Sequence, residues 1–369
     1  MELRGVWLTN VDSHVLESRG QIAAAMQFLA DHHFNLVYPV VWNKGMTLYR
    51  SDVMKQSFDI DIDTLTAYRG RDPLAEVIEE AHKRNIAVIP WFEFGFAASH
   101  NDRGGHILRT KPHWAAQDRE GKLLAKNGFE WMNAYHPEVQ EFMLALVTEV
   151  VRKYNIDGVQ GDDRLPAQPI EGGYDAWTAA RYAGLHNGKM PPWDFREKEW
   201  QRWRADQLNA FARKLYRHLK SIKPAVVVSW SPSIYPWSFD EYLQDWRAWI
   251  SLDSSGHCYA DLIHPQNYRY EIGDYKKTLD TQSRDSMRVN NTRPYLYPGI
   301  LLNVGSYLMS EEYLQEAIRY NRACGYAGEV FFFYEGLRKE NDKMAKLLKE
   351  HFYQTPARLP FTPAFLKTK

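Results

Sequence analysis

Short, nearly uninterrupted runs of apolar residues alternate along this chain with segments in which apolar residues recur every three or four positions. The runs are rich in Val, Ile and aromatic residues, and their length is typical of strands buried on both faces of a parallel sheet. The eight predicted strands are residues 3–9, 35–42, 86–94, 157–162, 225–231, 261–268, 294–301 and 328–335.

The periodic segments between these runs predict amphipathic helices. In the clearest one, residues 136–155, Pro137 takes the first helical position and Val139, Phe142 and Met143 begin an apolar face. Further helices are predicted at residues 20–31, 73–84, 199–220, 239–250, 310–323 and 340–351, with a weaker one at 272–287.

This alternation of strand and helix is the pattern of a single (β/α)8 TIM barrel within the α/β class. Two separate doubly wound domains are the less favoured alternative, because no linker or composition shift appears near the middle of the chain. We therefore expect one barrel domain over residues 1–369, with residues 352–369 as a C-terminal strap on its outside.

The connections support a barrel in which one end has been elaborated. Segments that lead from helix to strand are short, as in HHFN (32–35) and SIKP (221–224), whereas those after Trp42, Phe94 and Asp163 run for tens of residues. In TIM barrels the strand-to-helix loops gather at the carboxyl ends of the strands, where enzymes of this fold keep their active sites.

The stretch IDGVQGDDRLP (156–166) places two adjacent carboxylates, Asp162 and Asp163, at the carboxyl end of the fourth predicted strand. Neighbouring strand residues point to opposite sides, so we expect one carboxylate to face the cavity and the other its rim. Two close carboxylates resist simultaneous ionisation, which lets one stay protonated and act as an acid. In the structural alternative, one of them caps a loop or pairs with Arg164. Asp157 is expected to close a turn.

The other predicted strand ends carry polar and aromatic side chains. Glu93 ends the third strand and completes the predicted catalytic set with Asp162 and Asp163. Aromatic rings offer a flat apolar face, and in Trp and Tyr a polar edge, which suits a sugar; ordinary core packing is the alternative for each ring. The predicted substrate-binding residues are Trp7, Asn10, Trp42, Trp91, Trp230, His264, Gln266, Tyr268, Tyr334 and Glu335, with Asp12 and Trp237 as weaker candidates.

Paired carboxylates surrounded by aromatic residues are typical of glycoside hydrolase active sites, in which a carboxylic acid protonates the departing oxygen. Composition agrees with such a role: the chain holds 13 Trp, 22 Tyr and 17 Phe, more rings than a core alone requires. A net charge of zero argues against a nucleic-acid partner. A metal or cofactor is not expected, since zinc-type His spacings, GxGxxG and GxxxxGK are all missing, although the three acids could hold calcium or magnesium.

The beginning of the chain and its cysteines add little. No secretory signal pattern and no run of about 20 apolar residues appear, so we expect a soluble, cytoplasmic protein without a membrane partner, or an exported one whose signal has been trimmed. Cys258 and Cys324 lack metal-ligand spacing and are expected to be structural thiols. The pattern says nothing of the oligomeric state.

Three stretches resemble glycosyl-hydrolase-like family 10, bacterial TIM-barrel proteins that include hydrolases of peptidoglycan glycan strands. They are LRGVWLTN (3–10), NAYHPEVQEFMLALVTEVVRKYNIDGVQGDDR (133–164) and DLIHPQNY (261–268). The resemblance implies hydrolysis of a bacterial carbohydrate, with an N-acetylated cell-wall glycan as one candidate, and catalytic carboxylates at Asp162 or Asp163.

A more distant resemblance is to glycoside hydrolase family 18, whose fourth strand carries DGxDxDxE. In DGVQGDDR, Asp162 matches the last aspartate, but Gln160 replaces an inner acid and Arg164 replaces the glutamate. The acid of the chitinase mechanism is therefore missing unless Asp163 or Glu93 substitutes for it. Two alternatives remain at this point: a carbohydrate-binding barrel without catalysis, and a metal-dependent hydrolase.

Overall fold

The structure is a computed structural model that describes residues 1–290 and 296–366. The first two residues of the predicted strand at 294–301, and the last three of the expected strap at 352–369, lie outside the described residues. The strands are β1 Leu3–Leu8, β2 Leu36–Pro39, β3 Trp42–Asn43, β4 Met46–Thr47, β5 Ala87–Val88, β6 Trp91–Phe92, β7 Ala97–His100, β8 Ala125–Lys126, β9 Phe129–Trp131, β10 Gly158–Gly161, β11 Val227–Trp230, β12 Leu262–Ile263, β13 Gly299–Leu301, β14 Asn303–Val304, β15 Tyr307–Leu308 and β16 Gly328–Phe332.

The helices lie between and after these strands. They are α1 Arg19–Asp31, α2 Asp52–Phe58, α3 Pro73–His82, α4 Gly105–Thr110, α5 Pro137–Lys153, α6 Ala176–Leu185, α7 Lys198–Ile222, α8 Trp237–Tyr242, α9 Trp246–Ile250, α10 Ile272–Asn290, α11 Glu311–Ala323 and α12 Tyr334–His351. None of the described helices is long and apolar enough to cross a membrane.

Two parallel sheets organise the fold, one in the order β13-β16-β1-β2-β5 and the other in the order β12-β11-β10-β6. Isolated parallel bridges join the two sheets on both sides, at Val40 with Trp91, Ile263 with Leu296 and Gln266 with Gly299. The protein is therefore of the α/β class, and the carboxyl ends of all the strands in both sheets lie at the same end of the molecule.

Each apolar run yields a strand, but several strands are shorter than predicted. The run at residues 35–42 becomes β2 and β3, and the run at 86–94 becomes β5 and β6 with Ile89 and Pro90 between them. Pro90 has no N–H to donate, so a continuous ladder is interrupted there. The run at 261–268 pairs regularly only over β12, and its distal part contributes the bridge at Gln266.

The helix predictions hold within a few residues for α1, α3, α5, α7, α10 and α11. Side-chain caps help to fix their starts: Ser18, Asp72 and Ser310 each accept a hydrogen bond from the first turn of the following helix. The predicted helix at 239–250 is instead two helices, α8 and α9, because Leu243 takes a left-handed conformation with φ 55°. The predicted helix at 340–351 corresponds to the second part of α12, since residues 339–342 are non-helical and separate it from a first helical segment that begins at Tyr334.

The long connections contain structure that periodicity did not reveal. Helices α2, α4 and α6 and the antiparallel pairs β3–β4, β7–β9–β8 and β14–β15 all lie in strand-to-helix connections. These elements are short, and a two- or three-residue strand has too few positions to show an alternating pattern. They build up the carboxyl end of the molecule.

The last part of the chain crosses the opposite end. The Glu2 amide donates to the Arg358 carbonyl at 2.9 Å, and Arg4 Nη1 donates to the Thr355 carbonyl at 2.7 Å. The Ala364 amide donates to Asp157 Oδ1 at 2.5 Å, just before β10 begins. Cys258 and Cys324 are half-buried thiols, with no disulfide between them.

Candidate active site

Asp162 follows β10 directly and is held by side chains from three strand ends. Its Oδ1 accepts hydrogen bonds from Ser231 Oγ at 3.0 Å and Gln266 Nε2 at 2.8 Å, and its Oδ2 accepts one from Arg164 Nη2 at 3.0 Å. Ser231 follows β11 and Gln266 follows β12, so this carboxylate is fixed where three adjacent parallel strands end. Such support from both neighbours leaves Asp162 little rotational freedom.

Glu93 occupies the corresponding place after β6. Its Oε2 accepts a hydrogen bond from Asn43 Nδ2, which belongs to the hairpin β3–β4. Its backbone carbonyl accepts a hydrogen bond from Arg164 Nε at 3.1 Å, and its Oε1 lies 3.8 Å from Arg164 Nη2. Glu93 therefore shares a partner with Asp162, as expected for residues at the ends of the paired strands β6 and β10.

Arg164 is the common partner of the acids. In addition to Glu93 and Asp162, its guanidinium contacts Asp163, with Nη1 at 2.9 Å from Oδ1. Its centre lies 4.5 Å from the centroid of the Phe129 ring. The sequence offered Arg164 only as an alternative partner for one aspartate, whereas the structure places it among all three carboxylates.

One cation among three carboxylates leaves an excess of negative charge in a buried place. Burial raises the pKa of Glu93, while Arg164 and the Asn43 hydrogen bond oppose the rise. Burial also raises the pKa of Asp162, the neighbouring Asp163 adds to the rise, and Arg164 again opposes it. The site therefore favours keeping a proton on Glu93 or Asp162 at a pH where an exposed carboxyl would have lost it.

The three acids differ in how far they reach the surface. The side chain of Asp162 is 3% exposed, that of Glu93 is 14% exposed and that of Asp163 is 23% exposed. A bound molecule entering from the carboxyl end would meet Asp163 and Glu93 and find Asp162 behind them. Within residues 1–290 and 296–366, no hydrogen-bond partner is found for the buried atoms Asn43 Oδ1, Asn10 Oδ1 and Trp91 Nε1.

The model of one protein family, described as glycosyl hydrolase-like 10, matches residues 2–311 of this chain. The chain belongs to that family. The resemblance seen in the sequence is thereby confirmed.

Relatives of this glycosyl hydrolase-like 10 protein carry hydrolase names. Glycosyl hydrolase DigH of Escherichia coli K12 is 26% identical over 392 aligned residues, covering 86% of this chain and 86% of DigH. Glycosyl hydrolase YngK of Bacillus subtilis strain 168 is 26% identical over 338 aligned residues, covering 80% of this chain and 59% of YngK.

Solved structures of similar fold come from several glycoside hydrolases. The PgaB (BpsB) glycoside hydrolase domain from Bordetella bronchiseptica matches with a TM-score of 0.65 at 12% identity, covering 94% of this chain and 99% of that one. The catalytic domain of β-amylase from Paenibacillus polymyxa matches with a TM-score of 0.61 at 10% identity, covering 96% and 99%. At these identities the structures show the fold alone, and together with the family they support a carbohydrate-active function for this member.

Two of the predicted binding residues lie beside the acids of this family member. Gln266 donates to Asp162, as described above. Burial raises the pKa of Tyr268, and the charges of Asp162, Asp163 and Glu93 raise it further; the ring packs against Phe332 with ring centroids 5.4 Å apart. Tyr242, which the sequence did not single out, is a further neighbour: burial and then Asp163 raise its pKa to about 12.

Another group of predicted residues forms a buried layer beneath the acids. Trp7 Nε1 donates to Gln160 Oε1 at 2.7 Å, and the rings of Trp7 and Trp91 lie 6.3 Å apart. His264 Nε2 lies 2.7 Å from the Tyr38 hydroxyl, and burial lowers the pKa of His264 to about 3. This histidine is therefore neutral, and it completes the layer rather than serving as a cation for the site.

The side chains of the remaining predicted residues make contacts with groups other than the three acids. Trp42 and Trp230 are buried, and their Nε1 atoms donate to the carbonyls of Gly95 and Tyr259 at 2.9 and 2.8 Å. Glu335 accepts a hydrogen bond from Ser13 Oγ at 2.7 Å. Neighbouring Tyr334 packs against Phe28 with ring centroids 5.9 Å apart. Asn10 is half-buried and Asp12 is exposed.

The residues that contact the acids but were not predicted as site residues have one feature in common with the predicted ones, their position at a strand end. Asn43 ends β3, and Ser231 and Arg164 follow β11 and β10 within three residues, all at the carboxyl end. Position alone could have nominated them, but nothing in the sequence separates a polar residue that contacts an acid from one that does not.

Metal binding finds no support in the described part of the chain. There, no group of three or more His, Cys, Asp or Glu side chains is placed to hold a metal ion. The Arg164 guanidinium lies among Glu93, Asp162 and Asp163, where a bound cation would have to be.

A cavity of about 800 Å³ lies at the other end of the molecule, between the amino ends of the strands and the C-terminal segment. Among its lining residues are Lys220, Asp261, Tyr297 and Phe361. Lys220 Nζ pairs there with Asp261 Oδ2 at 2.6 Å. The residues that line this cavity do not include Glu93, Asp162, Asp163 or Arg164.

Proposed function

We propose that this protein is a glycoside hydrolase that cleaves O-glycosyl bonds of a bacterial polysaccharide or oligosaccharide. The observation that carries the proposal is the convergence of Glu93, Asp162 and Asp163 on the single cation Arg164 at the carboxyl ends of adjacent strands. Glycoside hydrolysis requires one carboxyl group that is protonated and a second that is ionised, and three acids around one cation satisfy both requirements.

The proposal includes a closed (β/α)8 barrel. The parallel bridges at Val40–Trp91, Ile263–Leu296 and Gln266–Gly299 support closure, because they connect the edges of the two sheets on both sides. In such a barrel the acids lie at the mouth, above the layer of Trp7, Trp91 and His264.

Exposure and protonation together suggest a role for each acid. Glu93 is the general acid, because burial raises its pKa and its side chain still reaches the cleft. Asp163 is the second carboxylate, which acts at the anomeric carbon either directly or through water; it is the most exposed of the three, and Arg164 supplies its counter-charge. Asp162 is a positioning residue, because it is the least exposed and three side chains hold it.

The first experiment measures reducing-end release from peptidoglycan glycan freed of its stem peptides, from chitin oligosaccharides and from glucan oligosaccharides. We expect wild type to cleave one of these classes, and Glu93→Gln and Asp163→Asn each to lose about 100-fold or more in kcat. The matched control is Asp102→Asn, since Asp102 is an exposed carboxylate paired with Arg109 at 3.5 Å outside the cluster. Unchanged kcat in both site variants would exclude these acids from catalysis.

A leaving-group series tests the role of Glu93 specifically. An aryl glycoside whose phenol has a low pKa needs little protonation as it departs, so Glu93→Gln is expected to recover most of its activity on such a substrate. Asp163→Asn is expected to stay impaired on both kinds of substrate. If Asp163→Asn recovers its activity on this substrate and Glu93→Gln does not, Asp163 is the general acid and Glu93 is the second carboxylate.

A carbohydrate-binding barrel without catalysis is the second candidate, and one observation favours it. All three carboxylates already have Arg164 as a partner, so the cluster is also what a purely structural ion-pair network would look like. In that case wild type binds one of the glycans and releases no reducing ends, and Asp163→Asn weakens binding only.

A further inference from the structure

Two tryptophans are strongly exposed in the elaborated connections at the carboxyl end. Trp193 is 66% exposed and lies between α6 and α7, and Trp237 is 43% exposed and begins α8. Tryptophan is rarely left in water to this extent, and exposed rings on a soluble protein commonly mark a binding surface.

Trp237 is connected to the acids through Tyr242. The two rings, at the two ends of α8, lie 5.3 Å apart. Tyr242 is in turn close enough to Asp163 for that charge to raise its pKa. Its hydroxyl accepts a hydrogen bond from Asn127 Nδ2 at 2.9 Å, which holds the ring at the edge of the cluster.

Trp193 is connected to the same short helix by Arg196. Nη2 of Arg196 donates to Glu241 Oε1 at 2.7 Å, and Nη1 donates to the Asp240 carbonyl at 3.2 Å. The loop that carries Trp193 therefore lies against α8. Just past the end of α8, Gln244 Nε2 donates to the Asp162 carbonyl at 3.0 Å, so α8 lies between the cluster of acids and this loop.

The Trp193 ring is also supported. The Arg119 guanidinium lies 4.8 Å from its ring centroid, and Arg119 Nη1 donates to the Trp193 carbonyl at 3.3 Å. The preceding carbonyl, of Pro192, accepts a hydrogen bond from the Tyr174 hydroxyl at 2.9 Å. A ring held in this way loses little conformational freedom when a ligand stacks on it.

We propose that Trp237 and Trp193, with the buried Tyr242 as the support of the Trp237 ring, form an aromatic track that binds sugar rings of a glycan polymer leading away from Asp163. This inference deepens the proposed function and depends on it for the identity of the ligand. A pyranose chain fits because its C–H faces stack on the rings while its hydroxyls reach the neighbouring charged groups of Arg119 and Arg196. A protein partner fits less well, because the charged pair Arg196–Glu241 joins the loop of Trp193 to α8, whereas the centre of a protein interface is depleted of charge.

The test compares Trp193→Ala and Trp237→Ala with wild type on long and short substrates. We expect each variant to have a KM about five- to tenfold higher than wild type on soluble polymers. The polymers used as probes are glycol chitin, β-glucan and peptide-free peptidoglycan strands. On the shortest oligosaccharide that is cleaved, we expect kcat/KM to stay within about twofold of wild type. Trp193→Phe and Trp237→Phe retain a ring and are expected to recover much of the loss. Leu252→Ala is the control, since Leu252 is 56% exposed in a helix-to-strand connection at the opposite end.

Binding is measured separately by migration in native gels that contain each polymer. Wild type and Leu252→Ala are expected to be retarded equally, and the two alanine variants at Trp193 and Trp237 less. If no glycan is cleaved but the alanine variants are less retarded, the track stands and the hydrolase proposal fails. If wild type cleaves a polymer and the alanine variants match it in KM and retardation, the track is overturned.

Discussion

Arg164 shows how one side chain sets the chemistry of its neighbours. Its guanidinium lies within 3.0 Å of both Asp162 and Asp163 and 3.8 Å from Glu93, and it opposes the rise that burial imposes on the pKa values of Asp162 and Glu93. Without this cation, the three carboxylates would lose the ion-pair partner that they share, and Lys44, whose effect is weaker, would be the cation left to lower the pKa of Glu93.

Replacing Arg164 is therefore expected to move the pH profile of activity. In Arg164→Met the opposing charge is gone, so the pKa values of Glu93 and Asp162 rise, and the limb on which the proton donor ionises moves to higher pH by about one unit or more. Arg164→Lys keeps the charge and is expected to move it less. The measurement is kcat/KM from pH 4 to 9; a lower but unshifted profile would show that Arg164 has only a structural role.

At the scale of elements, the loop after β6 and the loop after β10 are fitted to each other. Gly95 has φ +50°, and a Cβ built there would lie 2.1 Å from the Arg164 carbonyl oxygen. That same carbonyl accepts a hydrogen bond from the Phe96 amide at 3.0 Å. The backbone that presents Glu93 and the backbone that presents the two aspartates are thus in direct contact, and only glycine permits it.

Gly95→Ala is expected to destabilise the fold and impair the site together. The left-handed conformation costs about 1 kcal/mol for alanine, and the clash with the Arg164 carbonyl adds to it and displaces the guanidinium. Gly70→Ala is the matched control, because Gly70 has φ +74° but open space where its Cβ would be. Thermal unfolding and kcat are measured for both; equal effects in the two variants would refute the importance of the loop contact.

At the scale of the whole molecule, the end at which the parallel strands finish and the end at which they begin have different roles. The carboxyl end carries the acids, whereas at the amino end Asp157 ties the chain together. Asp157 Oδ2 accepts hydrogen bonds from the Val88 amide at 2.7 Å and lies 3.0 Å from His82 Nε2, and its Oδ1 accepts one from the Ala364 amide.

Asp157→Asn tests this division between the ends. Replacing one acceptor oxygen by an NH₂ group breaks at least one buried, charge-assisted hydrogen bond, so we expect a loss of about 1–3 kcal/mol in unfolding free energy. Activity at 25 °C is expected to be unchanged, since the substitution is at the opposite end from the acids. Chemical denaturation and kcat/KM report the two quantities; a large fall in kcat/KM with a native stability would contradict the division.

The local pattern of the sequence was enough to identify the strands, most helices and the elaborated end, because a buried parallel strand and an amphipathic helix each leave a periodic signature. It also placed Asp162, Asp163 and Glu93 at strand ends, since adjacent parallel strands bring their carboxyl ends together. The family followed from the same stretches.

Tertiary packing decided which rings and acids are accessible to solvent. Nothing in the local sequence distinguishes Trp7, Trp42 and Trp230 from tryptophans that bind a ligand at a surface, yet all three are buried. Trp193, in contrast, lies in a loop without periodicity and is exposed. Arg164 could have pointed to solvent, and only the packing of the loop that carries Gly95 and of Phe129 directs it among the acids. Exposure and pairing depend on residues distant in sequence, so no local pattern encodes them.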